Sequence, residues 1–426
     1  MDSIKIKLPH IGKNLKPFIK KVNRLYKSLD YGELQITKKT IQLNKQHKMC
    51  IFSIFRYLHE NNMLESSLNT YSNENRTIFK EIIDTQDKSR LTEWINGYGR
   101  PIMEHLNYLV TNNRIPSHLY NMGIDTDIMN CFVELELMEY IHNELNYRHT
   151  STISYKNLNI NINIFSKTKT IPKKMIDDSV ERIIICGLFK STTQPITINA
   201  DIYLTPFKKK CDYYQGQDII GPREINSGSS IVGEKLFVFR KEELNKVLVH
   251  ELVHYLGLDL NDVPFANFSD YFNVSTNNIV LLNEAYTEIM AILINTIIYS
   301  DNYDSVKDIL NKELKYSMFQ SAKILTLFKF VSAKQFFKQC DCDNFRQNTD
   351  VFSYFIVKTA ILMDLDGFLE LYYSNKLTPT TFKDYVLSVS LSTKYIEYID
   401  KFIIDIKNNK FPKYLLNSLR MTHYDL

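Results

Sequence analysis

The residues in this sequence best suited to chemistry are His250-Glu251-Leu252-Val253-His254, near the middle of the chain. On a helix, residues four apart sit about 40° apart around the axis, so both imidazoles point to one side and can share a metal ion. Glu251 directly follows the first histidine, so its carboxylate reaches a metal-bound water instead of the metal. Zinc suits this pairing, because it lowers the pKa of bound water from about 15.7 toward ~7, where a carboxylate can take the proton. The chemistry implied is hydrolysis by a zinc-bound water, with Glu251 as general base.

A catalytic zinc takes a third protein ligand and keeps one position open. Three downstream carboxylates are candidates: Asp259, Glu284 and Glu288. Asp259 stands nine residues after His250, whereas the pattern HExxHxxGxxH would place its ligand at Leu260, which cannot bind metal. Glu284 and Glu288 fall on one narrow stripe of a helical projection with Ala291 and Asn295, flanked by Leu281, Ile292, Ile294 and Ile298. A solvated face would be broader and more charged, so these two carboxylates are expected to be buried and committed.

The motif needs a rigid element to carry it. A helix is predicted over 241–256, apolar nearly all round through Leu244, Val247, Leu248, Val249, Leu252, Val253 and Leu256. Glu242 and Glu243 are placed in its first turn, where acids suit the helix dipole, and Gly257 is its predicted stop. Such a helix carries two histidines and a glutamate inward, where buried polar groups need partners, and a metal would supply one. Strands are predicted nearby at 157–165, 182–188, 196–204 and 235–240. Six of the twelve glycines lie between Gly187 and Gly257, which marks tight turns and close backbone approach. Both flanks read as helical, through 17–29, 41–61, 77–94 and 128–145, and again through 281–299, 306–330, 351–372 and 381–406. The expected fold class is therefore α+β and mostly helical. It comprises a helical N-terminal domain (1–150), a central sheet with the active-site helix (151–300), and a helical C-terminal domain (301–426) completing the cleft.

Composition bounds the alternatives. At 426 residues with 44% hydrophobic and 23% charged, the chain is neither disordered nor fibrous. With 12 glycines and 11 prolines, a loop-rich all-β fold is disfavoured. The net charge of +4 is uneven: residues 1–48 hold twelve Lys/Arg against three acids, +9, leaving −5 for the rest. That basic segment could meet an anionic partner, and if it borders the cleft it would favour acidic peptide or protein substrates. Nucleic acid is the less favoured partner. Six cysteines without a disulfide pattern, including Cys340-Asp341-Cys342 read as an acidic turn with free thiols, suit a reducing compartment. No apolar leader or membrane-length segment is seen, so a soluble, intracellular, cytoplasmic protein is expected.

HExxH followed by Asn283-Glu284-Ala285-Tyr286-Thr287-Glu288 resembles the gluzincin branch of the zincin metallopeptidases, over roughly residues 180–300. The resemblance implies a zinc metallopeptidase with one zinc held by His250, His254 and Glu284. Glu251 would be the base and Glu288 the acid orienting a ligand imidazole, His250. Glu284 lies 30 positions beyond His254, farther than in the better-known members, and the polar loop 261–278 takes up the extra length. Zincins bind substrate as an added strand along a sheet edge. The matching segment is 225–231, centred on Ser227, Gly228 and Ser229, with Gly228 allowing close approach; a simple β-hairpin with 235–240 is the other reading of the same residues. The tetrahedral intermediate needs an oxyanion donor, and Tyr354, opening an apolar C-terminal helix, is the candidate. The overall texture is also similar to uncharacterised zincin-like proteins of large DNA viruses. The alternative function is a non-catalytic zincin-like scaffold or binding protein using the basic N-terminal surface, which would have no chemical need for Glu251.

Overall fold

The structure, a computed structural model, describes residues 14–43, 51–98, 100–111, 133–190, 192–214, 216, 219–260, 270–274, 280–300, 302–337 and 344–423. Most of the loop 261–278, the Cys340–Cys342 turn and the outer parts of the basic N-terminal segment lie outside the described residues. The fold is α+β and mostly helical, with a six-stranded mixed sheet at its centre and helices at both ends.

The strands are β1 (Gln35–Gln42), β2 (Tyr147–Tyr155), β3 (Leu158–Ser166), β4 (Ile196–Tyr203), β5 (Gly228–Ile231) and β6 (Lys235–Val238). They are ordered β1-β2-β3-β4-β6-β5. The β1–β2, β2–β3 and β5–β6 pairs are antiparallel, and β4 runs parallel to both β3 and β6. Strict alternation builds β3: Leu158, Ile160, Ile162 and Ile164 are buried on one face, while Asn161 and Asn163 hydrogen-bond to Asn199 and Asp201 of β4 on the other. A parallel neighbour requires a long crossover, which here is the helix Lys173–Phe189.

That helix corrects the expected strand at 182–188. A short apolar run looks alike in a buried strand and a buried helix, and Ile183–Cys186 are buried within a 17-residue helix. The helical reading of 1–150 also fails at β1 and at the start of β2. β1 is exposed at seven of its eight positions, so it shows no apolar alternation and is a strand only because β2 pairs with it.

No break in packing falls at 300, whereas the helices of 52–145 form a core of their own that meets the sheet. One apolar core takes residues from Leu15 to Met421, and a second joins Phe52–Leu145 to Tyr203, Phe237 and Phe239 on the sheet. The reason lies in the helix Leu282–Tyr299, where 15 of 18 residues are buried. Such a helix needs cover on every side, and it receives it from Leu15–Lys27, Tyr303–Leu327, the π-helical turn Phe352–Val357 and Lys358–Met363.

The motif helix runs Leu244–Tyr255 between the sheet, the crossover helix and Leu282–Tyr299. Glu242 and Glu243 precede it instead of forming its first turn. Both are spent on other segments: Glu242 accepts from the Lys209 amide, and Glu243 pairs with Lys209 Nζ at 2.9 Å. At its other end Gly257 adopts φ +57°, with its N–H on the His254 carbonyl and the Leu258 N–H on the Val253 carbonyl. These are the two bonds of a Schellman stop, and the left-handed residue favours glycine. Gly257→Ala is expected to lower stability by about 1 kcal/mol from backbone strain alone, read from urea unfolding.

Candidate metal centre

Three side chains converge where the motif helix faces Leu282–Tyr299. His250 Nε2 and His254 Nε2 are 3.2 Å apart, and Glu284 Oε2 lies 3.4 Å from each. The facing stripes explain the convergence: residues 250 and 254 share one helix face, and 284 opposes them from the next helix. The triangle is too open for charge-assisted hydrogen bonds, which run about 2.7–2.9 Å. Glu284 Oε2 is buried without a hydrogen-bond partner. A common central ion would satisfy it, and among the described residues this trio is the group able to hold a metal.

Each imidazole is backed by an acid. Glu288 Oε1 is 2.9 Å from His250 Nδ1, and Asp259 Oδ2 is 2.7 Å from His254 Nδ1. Asp259, a candidate ligand by sequence, thus stands behind a histidine instead of beside Glu284. The hydrogen bond between His254 and Asp259 fixes the tautomer of His254 and aims its Nε2 at the centre, while Glu288 stands within ion-pair distance of His250 Nδ1, a buried nitrogen with no hydrogen-bond partner of its own. Burial penalises both imidazolium forms, yet the facing carboxylates outweigh it. Glu284 and Glu288 raise the His250 pKa, and Glu284 and Asp259 hold His254 well above its ordinary value. Burial would likewise raise Glu284, but the two histidines pull it well below the usual carboxylate range.

Glu251 points away from the trio's shared face toward β5. A Cβ on Gly228 would stand 2.4 Å from Glu251 Oε1 and 2.7 Å from its Cγ, so the absent side chain is what lets Glu251 lie there. Burial raises the Glu251 pKa, opposed by His250, His254 and the Ser230 hydroxyl. β5 is the last strand of the sheet, and Ser227, Gly228 and Ser229 line a cleft of about 530 Å³ that contains the trio and Glu251. Tyr354 lines the same cleft, its ring 6.1 Å from that of His250. Burial and then Glu284 push its hydroxyl well above the ordinary value, so it stays protonated. The π-helical turn holding Tyr354 is tied to the start of the Glu284 helix: Ser353 Oγ donates to the Leu281 carbonyl at 2.7 Å, and the Leu281 N–H to Asp350 at 3.1 Å.

Sequence reasoning missed Lys246, Lys209 and Met421, which also line the cleft. Lys246 carried a readable signal, since it stands one turn before His250 on an otherwise apolar helix. Met421 carried none, because it arrives from the far end of the chain. None of the described residues of the basic segment, 14–43, lines the cleft. Among the described residues, no helix is long and apolar enough to cross a membrane. Cys186 and Cys211 are buried free thiols.

No family model matches the chain, and no solved structure matches it. It is 28% identical over 187 residues to a protein described as uncharacterized protein R210 of Acanthamoeba polyphaga mimivirus. The match covers 41% of this chain and 48% of that relative, so the chain spans about half the relative's length.

Metal binding must displace protons from the histidines, whose pKa values are raised in the metal-free protein. One divalent ion per chain is expected, with affinity falling as pH drops through the raised histidine values, by about tenfold per unit for each proton displaced. Calorimetry in buffers of different ionisation enthalpy reads the proton release. Glu284→Ala should weaken binding by roughly 100-fold or more, and a variant that kept full affinity would remove Glu284 from the ligand set.

Proposed function

We propose that the protein is a zinc-dependent metallopeptidase of the gluzincin type. The observation that carries this reading is the His250–His254–Glu284 triangle with a separate buried carboxylate, Glu251, in the same cleft. Ligand atoms bound at 2.0–2.1 Å in a tetrahedron stand about 3.3–3.4 Å apart, which suits the observed edges of 3.2–3.4 Å. Three protein ligands with an adjoining cleft leave room for water or substrate, the mark of a catalytic zinc site. A zinc ion held there supplies Lewis acidity to water and to a peptide carbonyl.

The chain's own residues do the rest. The outer edge of β5, unpaired among the described residues, offers backbone groups to an extended peptide, which binds by strand addition with little demand on sequence. Glu251 takes the proton of the attacking water and returns it to the leaving amine, and burial raises its pKa from the ordinary carboxylate value. The Tyr354 hydroxyl, kept protonated in the wall of the same cleft, would donate to the developing oxyanion. Asp259 holds His254 in one tautomer, and Glu288 stands 2.9 Å from His250 Nδ1 as the acid that would orient the second imidazole. A scaffold without catalysis would leave the buried Glu251 and the glycine that accommodates it without a purpose.

The test pairs metal content with cleavage of a peptide library. Glu251→Gln should keep one zinc and lose cleavage by about 10²–10⁴-fold. Wild type that holds zinc and cleaves no peptide would sink the peptidase reading. Gly228→Ala should also keep zinc, yet slow cleavage by about 100-fold because Glu251 is displaced from its place. Unchanged turnover in that variant would mean Glu251 does not act from the position beside β5.

A further inference from the structure

We propose that Lys246 is a positioning residue of the metal centre: it pins Glu288 against His250 and so sets the direction in which His250 presents Nε2. The inference rests on the metal-site reading above but not on peptidase activity.

The geometry is a ladder between two buried helices. Lys246, His250 and His254 recur every four residues on the motif helix, and Glu284 and Glu288 recur at the same spacing on the facing one. The rungs run Lys246–Glu288–His250–Glu284–His254. Lys246 Nζ donates to Glu288 Oε1, and that same oxygen is the one 2.9 Å from His250 Nδ1. Glu288 Oε2 is buried without a hydrogen-bond partner. The carboxylate is therefore anchored through one oxygen, by the Lys246 donor, with the His250 ring at ion-pair distance from the same atom. Without Lys246, the carboxylate would keep only its 2.9 Å approach to the imidazole and the longer-range pull of the buried Lys358 ammonium, and a side chain with no direct ammonium donor can swing.

Lys246 is itself held in place. It and Glu288 are each 2% exposed at the side chain, so water does not compete for the contact. On its other side lies Met421 Sδ at 3.7 Å. Met421 belongs to a segment clamped by buried charges: Glu243 accepts from the Met421 and Thr422 amides at 2.9 and 2.7 Å, and Lys358 Nζ donates to the Met421 carbonyl at 2.8 Å. Met421 thus stands behind the ammonium, and Glu288 is the carboxylate within ion-pair distance of it.

The experiment measures zinc affinity of the full chain by chelator competition, for wild type, Lys246→Met, Glu288→Gln and the double variant. Lys246→Met and Glu288→Gln should each weaken zinc by about 10–100-fold, and the double variant no more than the weaker single, since both remove one contact. Lys323→Met is the structural control. Lys323 is equally buried but bonds to the Leu415 and Ser418 carbonyls, so its loss should lower the melting temperature and leave zinc affinity unchanged. If Lys246→Met does not fold, Lys246→Gln, which keeps one neutral donor in the same space, should show a smaller loss of about 3–10-fold. Wild-type affinity in whichever of these folds overturns the proposal, as do losses that multiply in the double variant. A chain that loses zinc in Lys246→Met yet cleaves no peptide in the wild type would sink the peptidase reading and leave this one standing. Wild type that binds no zinc would overturn both.

Discussion

The structure depends on burying two charged stripes against each other. Lys246, His250 and His254 face Glu284 and Glu288 across a helix interface that is otherwise apolar. Unpaired, each of these groups would cost several kcal/mol to remove from water. Paired, they fix the rotation and register of both helices, because a slip of one residue would turn every charge into hydrocarbon. Much of the surrounding architecture serves this contact. The helix Leu282–Tyr299 is covered on all sides, and segments from both ends of the chain are drawn into one core to cover it.

A second constraint acts on the sheet side. Glu251 projects from the motif helix toward β5, and the space it occupies exists because residue 228 has no side chain. The helix therefore divides its polar residues between two neighbours: imidazoles toward the Glu284 helix, the carboxylate toward the sheet edge. That division is what a hydrolytic centre requires, since ligands and base must approach one point from different directions. The proposed peptidase mechanism adds only a zinc ion and a substrate strand to groups already oriented.

Several parts of this arrangement were legible in the residues. The motif, its helix, the glycine stop, and the Glu284–Glu288 stripe all follow from local periodicity, and local periodicity survives folding when a segment is buried on one defined face. The strands β3, β4 and β6 were readable for the same reason. The failures share an opposite cause. β1 has no buried face, so nothing in its own pattern marks it. The 173–189 helix is buried nearly all round at 182–186, so its apolar run carries no period. Glu242 and Glu243 looked like first-turn acids because their true partners, Lys209 and the amides of residues 421 and 422, are remote in sequence.

The sequence by itself therefore determined the chemistry on offer: two imidazoles and a carboxylate on one helix, two more carboxylates on another, and a glycine before the helix where a strand could approach. These are statements about spacing within single elements, where covalent geometry sets which residues share a face. Only the tertiary structure decided which carboxylate joins the histidines, which two stand behind them, and what shields the site. Glu284, Glu288 and Asp259 are chemically alike and differ in role because each helix or turn delivers its carboxylate to a different side of the imidazoles. Lys246 and Met421 enter the cleft through contacts across 42 and 175 residues of chain, and no local rule reaches that far.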